Sequence, residues 1–430
     1  MATKTRYCLS SKDIATICDI YNDIRFDFDQ NETLSILLSG MFGGSGKHLR
    51  SVIVNGKMKW GAIDKSELAK IVHSLMSNHD ISSKWSASSL LNKIEDVLLE
   101  NKARGIEDVK PEVNALVKDI YEESSVEYEI CMPIFGVSIA KDSCIEVGKY
   151  SFMHIDYVTK KKFHRIVGTD SDSTKREFWN AECFVCISVS ACDATKAEEL
   201  ALAQFKWIEN AIRCFLYGKM YNAGITNCKA KWIERVIVAI KGSETAGLSS
   251  SLRGPLFPFK IEEIVHTKEF VRMISLLGDP NSQLTEVQKR IRHAIYLCGL
   301  STQTVDLSVG YFLCVAALEA LFCKPENSYV SPSISQQVIE SFCFLIIDEC
   351  KRRECFDSMR DLYRNRSAVA HGGEKEISED DVMHARLSLL VAIRKFLTDK
   401  SLCAIATISD LQALVKDIKF GKKQQKVLAK

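Results

Sequence analysis

The sequence predicts an α+β protein, predominantly helical, with an antiparallel helical bundle near the C-terminus, a β-containing middle region and a helical N-terminal region. Three observations predict it. Apolar residues recur at helical spacing through the first and last thirds, whereas residues 126–139 and 184–189 carry the β-type pattern of a half-buried strand. Proline is scarce at 7 of 430 residues and glycine modest at 21, which favours a compact helical chain over a loop-rich one. The hydrophobic fraction of 46% is enough for a sizeable core. The regions divide at 1–125, 126–284, 285–400 and 401–430. The middle one is suited to a sensor or regulatory role, and the last is a short helix with a basic tail.

Residues 1–125 read as helical. Ser11, Lys12 and Asp13 open a pattern with Ile14, Ile17, Ile20 and Tyr21 on one face. Leu90, Leu91, Ile94, Val97 and Leu98 repeat it, as do Val113, Leu116, Val117 and Ile120. Between them lies a glycine-rich turn, residues 43–48. It is no phosphate-binding P-loop, because Met41 replaces the first glycine and His48 the magnesium-binding hydroxyl residue. Nor is it a hydrolase elbow, since Lys47 replaces the second glycine.

Tyr128, Ile130, Ile134, Val137 and Ile139 begin an antiparallel sheet, continued by residues 144–152 and 184–189. Cys183 and Cys186 have metal-like spacing but no second pair, so they read as strand cysteines. A long helix starts after Asp193 and carries Trp207 and Phe215 as core or interface residues. Residues 228–242 fit a helix or a strand. Residues 243–258 read as a linker or long loop.

The last third is the most regular. Helices are expected over 286–298, 304–322, 333–347, 353–370 and 379–396, with a weaker one over 408–418. Their short connections imply antiparallel neighbours. Glu319 interrupts the strongly apolar second helix near its end. It is either the partner of a motif arginine or a half-exposed residue of the last turn.

Sixteen cysteines without an apolar leader suggest thiols in a reducing compartment, with Cys314, Cys343 and Cys350 acting as small buried hydrophobes. No apolar run approaches the ~18 residues of a membrane span. The expectation is a cytoplasmic protein with no membrane partner. A formal charge of +2 excludes nucleic-acid binding by net charge alone, so any such site must be local.

The residues best suited to chemistry are Arg364, Asn365, Arg366, Ser367 and His371, close before a Gly-Gly helix stop. Arginine grips phosphate through a planar, permanently charged fork. Histidine moves protons near neutral pH. Arg366 and His371 lie ~140° apart on a helical wheel and Arg364 and His371 ~20° apart, so the wheel leaves both arginines open. The plain alternative is an ion pair and cap at a bundle end. Lys160, Lys161, Lys162, His164 and Arg165, and the tail residues Lys419, Lys422, Lys423, Lys426 and Lys430, are either RNA-backbone contacts or solvated surface.

The run Phe312 to Phe322, ending Ala-Leu-Glu-Ala-Leu-Phe, together with Leu362 to Gly372, resembles HEPN domains (higher eukaryotes and prokaryotes nucleotide-binding) of the ApeA-like branch. The resemblance covers about residues 285–398. It implies a metal-independent endoribonuclease, without cofactor or metal, in which Arg366 steadies the phosphate and His371 transfers protons. Arg364, Asn365, Ser367 and Glu319 would support them. The substrate 2′-OH would attack, giving a 2′,3′-cyclic phosphate and a 5′-hydroxyl. One chain supplies one His371, so a homodimer or higher oligomer is expected, acting in antiviral defence or as a toxin under a phage or regulatory trigger. The other function the resemblance allows is a non-catalytic module that dimerises or binds nucleotide or RNA.

Overall fold

Helix α1, Ser11–Asp23, starts where the Ser10 hydroxyl accepts the Asp13 amide at 3.1 Å. The structure, a computed structural model, describes residues 9–26, 28, 36, 47–54, 56–157, 182–216, 224–225, 233–239, 246–252, 259–278, 283–304, 306–324, 333–370 and 376–421. The chain divides into two compact units. One is Met1–Ile130 with Ser188–Leu202, the other Cys131–Ile187 with Ala203–Lys430.

In the first unit, strands β1, Lys47–Val54, and β2, Lys57–Asp64, form an antiparallel hairpin. Helices α2, Lys65–Met76, α3, Ala87–Ala103, and α4, Lys110–Glu122, follow. The hairpin corrects the all-helical expectation for residues 1–125. Val52 and Val54 are buried while Ile53 is exposed, which is the two-residue period of a strand. Gly56, at φ +74°, supplies the left-handed turn residue that an Asn-Gly hairpin needs. Val52, Val54 and Ile63 share one core with Ile17, Leu68, Ile71 and Val72, and with Leu90, Ile94 and Leu98. Residues 43–46 of the glycine-rich turn lie outside the described residues, and His48 lies in β1.

Strands β3, Val126–Phe135, β4, Val137–Ser138, β5, Cys144–Val147, β6, Tyr150–His154, and β7, Cys183–Ala191, come next. Helix α5, Ala194–Leu216, precedes β8, Gly224–Ile225. The main sheet has the order β5-β6-β7-β3-β8, and its β3–β8, β5–β6 and β6–β7 pairings are antiparallel, with Tyr150 opposite Ile187. Strand β9, Ile233–Ala239, pairs with β10, Ala246–Leu252, placing Leu248 opposite Ile237. Of the ambiguous segment 228–242, the described residues 233–239 are strand, and residues 246–252 correct the linker expected over 243–258 where it is described. An unpaired β9 would leave a row of backbone donors and acceptors unmatched, and β10 matches them. The short β11, Phe259–Lys260, runs parallel to β4.

Cys131 and Cys186 form a disulfide, which corrects the expectation that the cysteines are thiols. Cys183 and Cys186 are both buried in β7, as strand cysteines. Strands β3 and β7 bring Cys131 and Cys186 to a Cα separation of 4.1 Å across 55 residues of chain. No short-range spacing signals that pairing.

The second unit ends in helices α6, Lys268–Gly278, α7, Glu286–Ser301, α8, Leu307–Phe322, α9, Ile334–Leu345, α10, Arg352–Ala370, α11, Glu379–Thr398, and α12, Ile408–Lys419. Capping boxes at Thr285/Gln288 and Ser378/Asp381 start α7 and α11. Helix α8 packs against α7, α9, α10, α11 and α12. Its burial explains its nearly continuous apolar sequence, from Tyr311 through Cys314 and Leu318 to Phe322. Arg290 donates to the carbonyls of Ala320 and Cys323 at 2.7 and 2.8 Å and so caps the α8 C-terminus. Gly299 on α7 packs against α5 so closely that a Cβ there would sit 2.2 Å from the Asn210 carbonyl oxygen.

The chain is therefore α+β and predominantly helical, as its sequence predicts. Among the described residues no helix is long and apolar enough to cross a membrane.

Candidate functional site

Arg366 sits in the C-terminal half of α10, where the helix passes α8. Its Nε lies 3.4 Å from Oε1 of Glu319. Its guanidinium carbon lies 5.7 Å from the centre of the Phe312 ring, within cation–π reach. Phe312 and Glu319 are seven residues apart on α8. They share a face and bracket the arginine between a ring and a carboxylate.

Nε of Arg366 and Oε1 of Glu319 are buried without a hydrogen-bond partner among the described residues, and the Tyr363 hydroxyl is buried beside Glu319. The Arg366–Glu319 contact is thus an ion pair without hydrogen-bond alignment. Burial pushes the Tyr363 hydroxyl above the ordinary phenol range, and the nearby Glu319 charge pushes it further. The Arg366 side chain as a whole keeps 30% of its surface exposed, so its fork is not sealed in the core.

Arg366 opens into a cavity of about 430 Å³ lined by Glu319, Ser333, Ile334, Ser335, Tyr363, Arg364, Arg366 and Ser367. A second cavity, about 950 Å³, shares Ser335, Tyr363 and Arg364 with it and continues past Glu340, Phe356 and Arg360. The two form one groove between α9 and α10. Its charges are mixed, with Arg360, Arg364 and Arg366 lining it together with Glu319, Glu340, Asp357 and Asp361.

The supporting residues differ in their attachment. Arg364 is 76% exposed and pairs with Asp361 at 2.6 Å, one turn away on its own helix. Asn365 is buried on another face and donates to Oδ1 of Asp381 at 2.8 Å, tying α10 to the start of α11. Tyr311 adds a second tie by donating to the Leu362 carbonyl at 2.5 Å. Ser367 is exposed at the groove. Lys419 donates to Glu340 at 2.7 Å and so stands beside the larger cavity. Burial raises the Glu340 carboxyl, but the Lys419 and Gln336 hydrogen bonds outweigh this and leave it below its ordinary value.

The groove brings together Arg364, Arg366, Ser367 and Glu319, and leaves Asn365 outside the cavity lining. His371, Lys422, Lys423 and the basic cluster at 160–165 lie outside the described residues. Helix α10 ends at Ala370, one residue before His371. Sequence reasoning missed Phe312, Tyr363, Ser333 and Ser335. Phe312 was findable from its seven-residue spacing to Glu319 and Tyr363 from its three-residue spacing to Arg366. The serines belong to the start of α9, which Ser333 caps as the sequence predicts, but no local signal places that start beside Arg366. The chain matches no protein-family model, no curated protein and no solved structure.

Proposed function

We propose that the groove between α9 and α10 is the RNA site of a metal-independent endoribonuclease with a HEPN-type bundle. Arg366 holds the scissile phosphate, and Glu319 and Phe312 orient its guanidinium. His371 takes the 2′-OH proton or protonates the leaving 5′-oxygen. Two chains supply two such histidines, so that one acts as base and the other as acid. Arg364 contacts an adjacent phosphate, and the tail lysines Lys419, Lys422 and Lys423 extend the backbone contact.

The observation that carries this reading is the placement of Arg366. It is fixed on one side by a carboxylate and a ring, and it is open on the other to a cavity shared with Arg364 and Ser367. A phosphate site needs an arginine held in place and still accessible. A purely structural ion pair needs only the first.

Expression of the full chain in a bacterial host tests the proposal. Growth arrest with accumulation of RNA fragments bearing 2′,3′-cyclic phosphates is expected, relieved by His371→Ala and by Arg366→Ala. Growth arrest that both variants retain would refute the assignment. Retained RNA binding by His371→Ala, with wild type equally unable to cleave once RNA-bound, would favour the non-catalytic RNA-binding module.

A further inference from the structure

Cys343 and Cys355 lie across the α9–α10 hairpin from each other, with the Cys343 thiol donating to the Cys355 sulfur at 3.0 Å. The neighbouring pair, Phe344 and Phe356, also meet across it, with ring centres 6.1 Å apart. The two helices are therefore in register where these cysteines sit. Cys343 is fully buried, Cys355 is half-buried and Cys350, in the intervening turn, is exposed. Arg352 stacks its guanidinium 5.1 Å from the Phe344 ring, and its buried Nε has no hydrogen-bond partner among the described residues.

We propose that Cys343 and Cys355 are a modification site, a dithiol that small disulfides of the oxidised-glutathione class convert reversibly to an intrachain disulfide. A disulfide bond is about 2.05 Å long, so closure needs only about 1 Å of approach between the two sulfurs. Cys355 is the entry point because it alone of the two is reachable from solvent. The Cys343 thiol holds the Cys355 thiol below its ordinary value, whereas Cys343 itself is pushed up by the same contact and by burial.

The chemistry balances as two exchanges. The Cys355 thiolate attacks one sulfur of the oxidant, forming a mixed disulfide and expelling one glutathione thiolate. Cys343 then gives its proton to solvent base and attacks the Cys355 sulfur, expelling the second. Two protein thiols lose two electrons together, and the oxidant is reduced to two thiols. The new bond ties α9 to α10 directly before Phe356 and Asp357, two residues of the larger cavity. It is therefore placed to fix the width of the groove. This inference is independent of whether the groove cleaves RNA.

Reduced full-length protein is equilibrated with oxidised glutathione, quenched with N-ethylmaleimide in denaturant, digested and analysed by mass spectrometry. A peptide cross-linked through Cys343 and Cys355 is expected in wild type and in Cys350→Ser. In Cys343→Ser, glutathione should stay attached to Cys355. Oxidation should raise the thermal unfolding midpoint of wild type by more than that of Cys355→Ser, in which only Cys131–Cys186 can re-form, and this keeps the test valid should Cys343→Ser fold poorly. Alkylation of both cysteines in oxidised wild type, or a bond that requires Cys350, would overturn the proposal.

Discussion

Glu319 and Arg366 meet between α8 and α10 at 3.4 Å, the Glu319 side chain 20% and the Arg366 side chain 30% exposed. Neither is deep enough for the pair to be a core ion pair, and neither is free enough to be solvated surface. The intermediate depth suits orientation of a guanidinium that must still reach a ligand. Glu319→Gln keeps the shape and removes the charge. Stability should change by less than about 1 kcal/mol, as for other partly exposed pairs. RNA cleavage should fall about tenfold in kcat, equivalent to ~1.4 kcal/mol of transition-state stabilisation, with KM nearly unchanged. Steady-state kinetics on a defined oligonucleotide, beside a denaturant melt, checks both halves.

The two motif arginines should separate experimentally. Arg364 is held only by Asp361 on its own helix, and its side chain is mostly in water. Arg364→Ala should raise KM several-fold and leave kcat within a factor of about three, or ~0.7 kcal/mol. Arg366→Ala should reduce kcat by at least a hundredfold, about 2.7 kcal/mol. The same kinetic series decides it, and a reversed order would place Arg364 at the scissile phosphate.

Gly299 is a strict packing requirement of the second unit. A methyl group there would meet Asn210 backbone atoms at 2.2 to 2.6 Å. Backbone cannot swing aside as a side-chain tip can, so α5 and α7 must separate. Gly299→Ala should lose about 3 kcal/mol despite the better helix propensity of alanine. The urea midpoint measures this, and an unchanged midpoint would show that the helices part at little cost.

Tyr150, Tyr311 and Tyr363 predict an alkaline limit to stability. Burial raises all three hydroxyls above the ordinary phenol value. Unfolded tyrosine ionises near pH ~10, below the folded values. The stabilisation is therefore complete below that pH and lost as pH rises through the folded values. The thermal midpoint should fall steeply above pH ~10, and tyrosinate absorbance should appear together with unfolding. Tyr363→Phe should blunt the fall, because it removes one of the three raised hydroxyls.

Much of this arrangement was legible in the sequence because it is carried by local signals. The bundle helices announced themselves through caps such as Ser378 with Asp381 and through the apolar run of α8. Glu319 stood out as the one carboxylate in that run. The β1–β2 hairpin was missed although Asn55-Gly56 marks a hairpin turn, because the flanking alternation is broken by exposed Met58 and Trp60. Strand β10 was missed because serine and glycine dominate it, and only its partner β9 makes it a strand. The Cys131–Cys186 bond and the Cys343–Cys355 contact depend on strand order and helix register, which residue spacing does not encode. Of the candidate groove, Arg364, Arg366 and Glu319 were singled out in the sequence, whereas the groove itself requires α9 to be folded back on α10.

The most direct measurement of the central claim is cleavage of total RNA by the purified full chain in excess EDTA, with His371→Ala and Arg366→Ala alongside. The account predicts fragments with 2′,3′-cyclic phosphate and 5′-hydroxyl ends from the wild type and at least a hundredfold slower cleavage by each variant, about 2.7 kcal/mol. Fragments with 3′-hydroxyl ends, or equal cleavage by all three proteins, would contradict it.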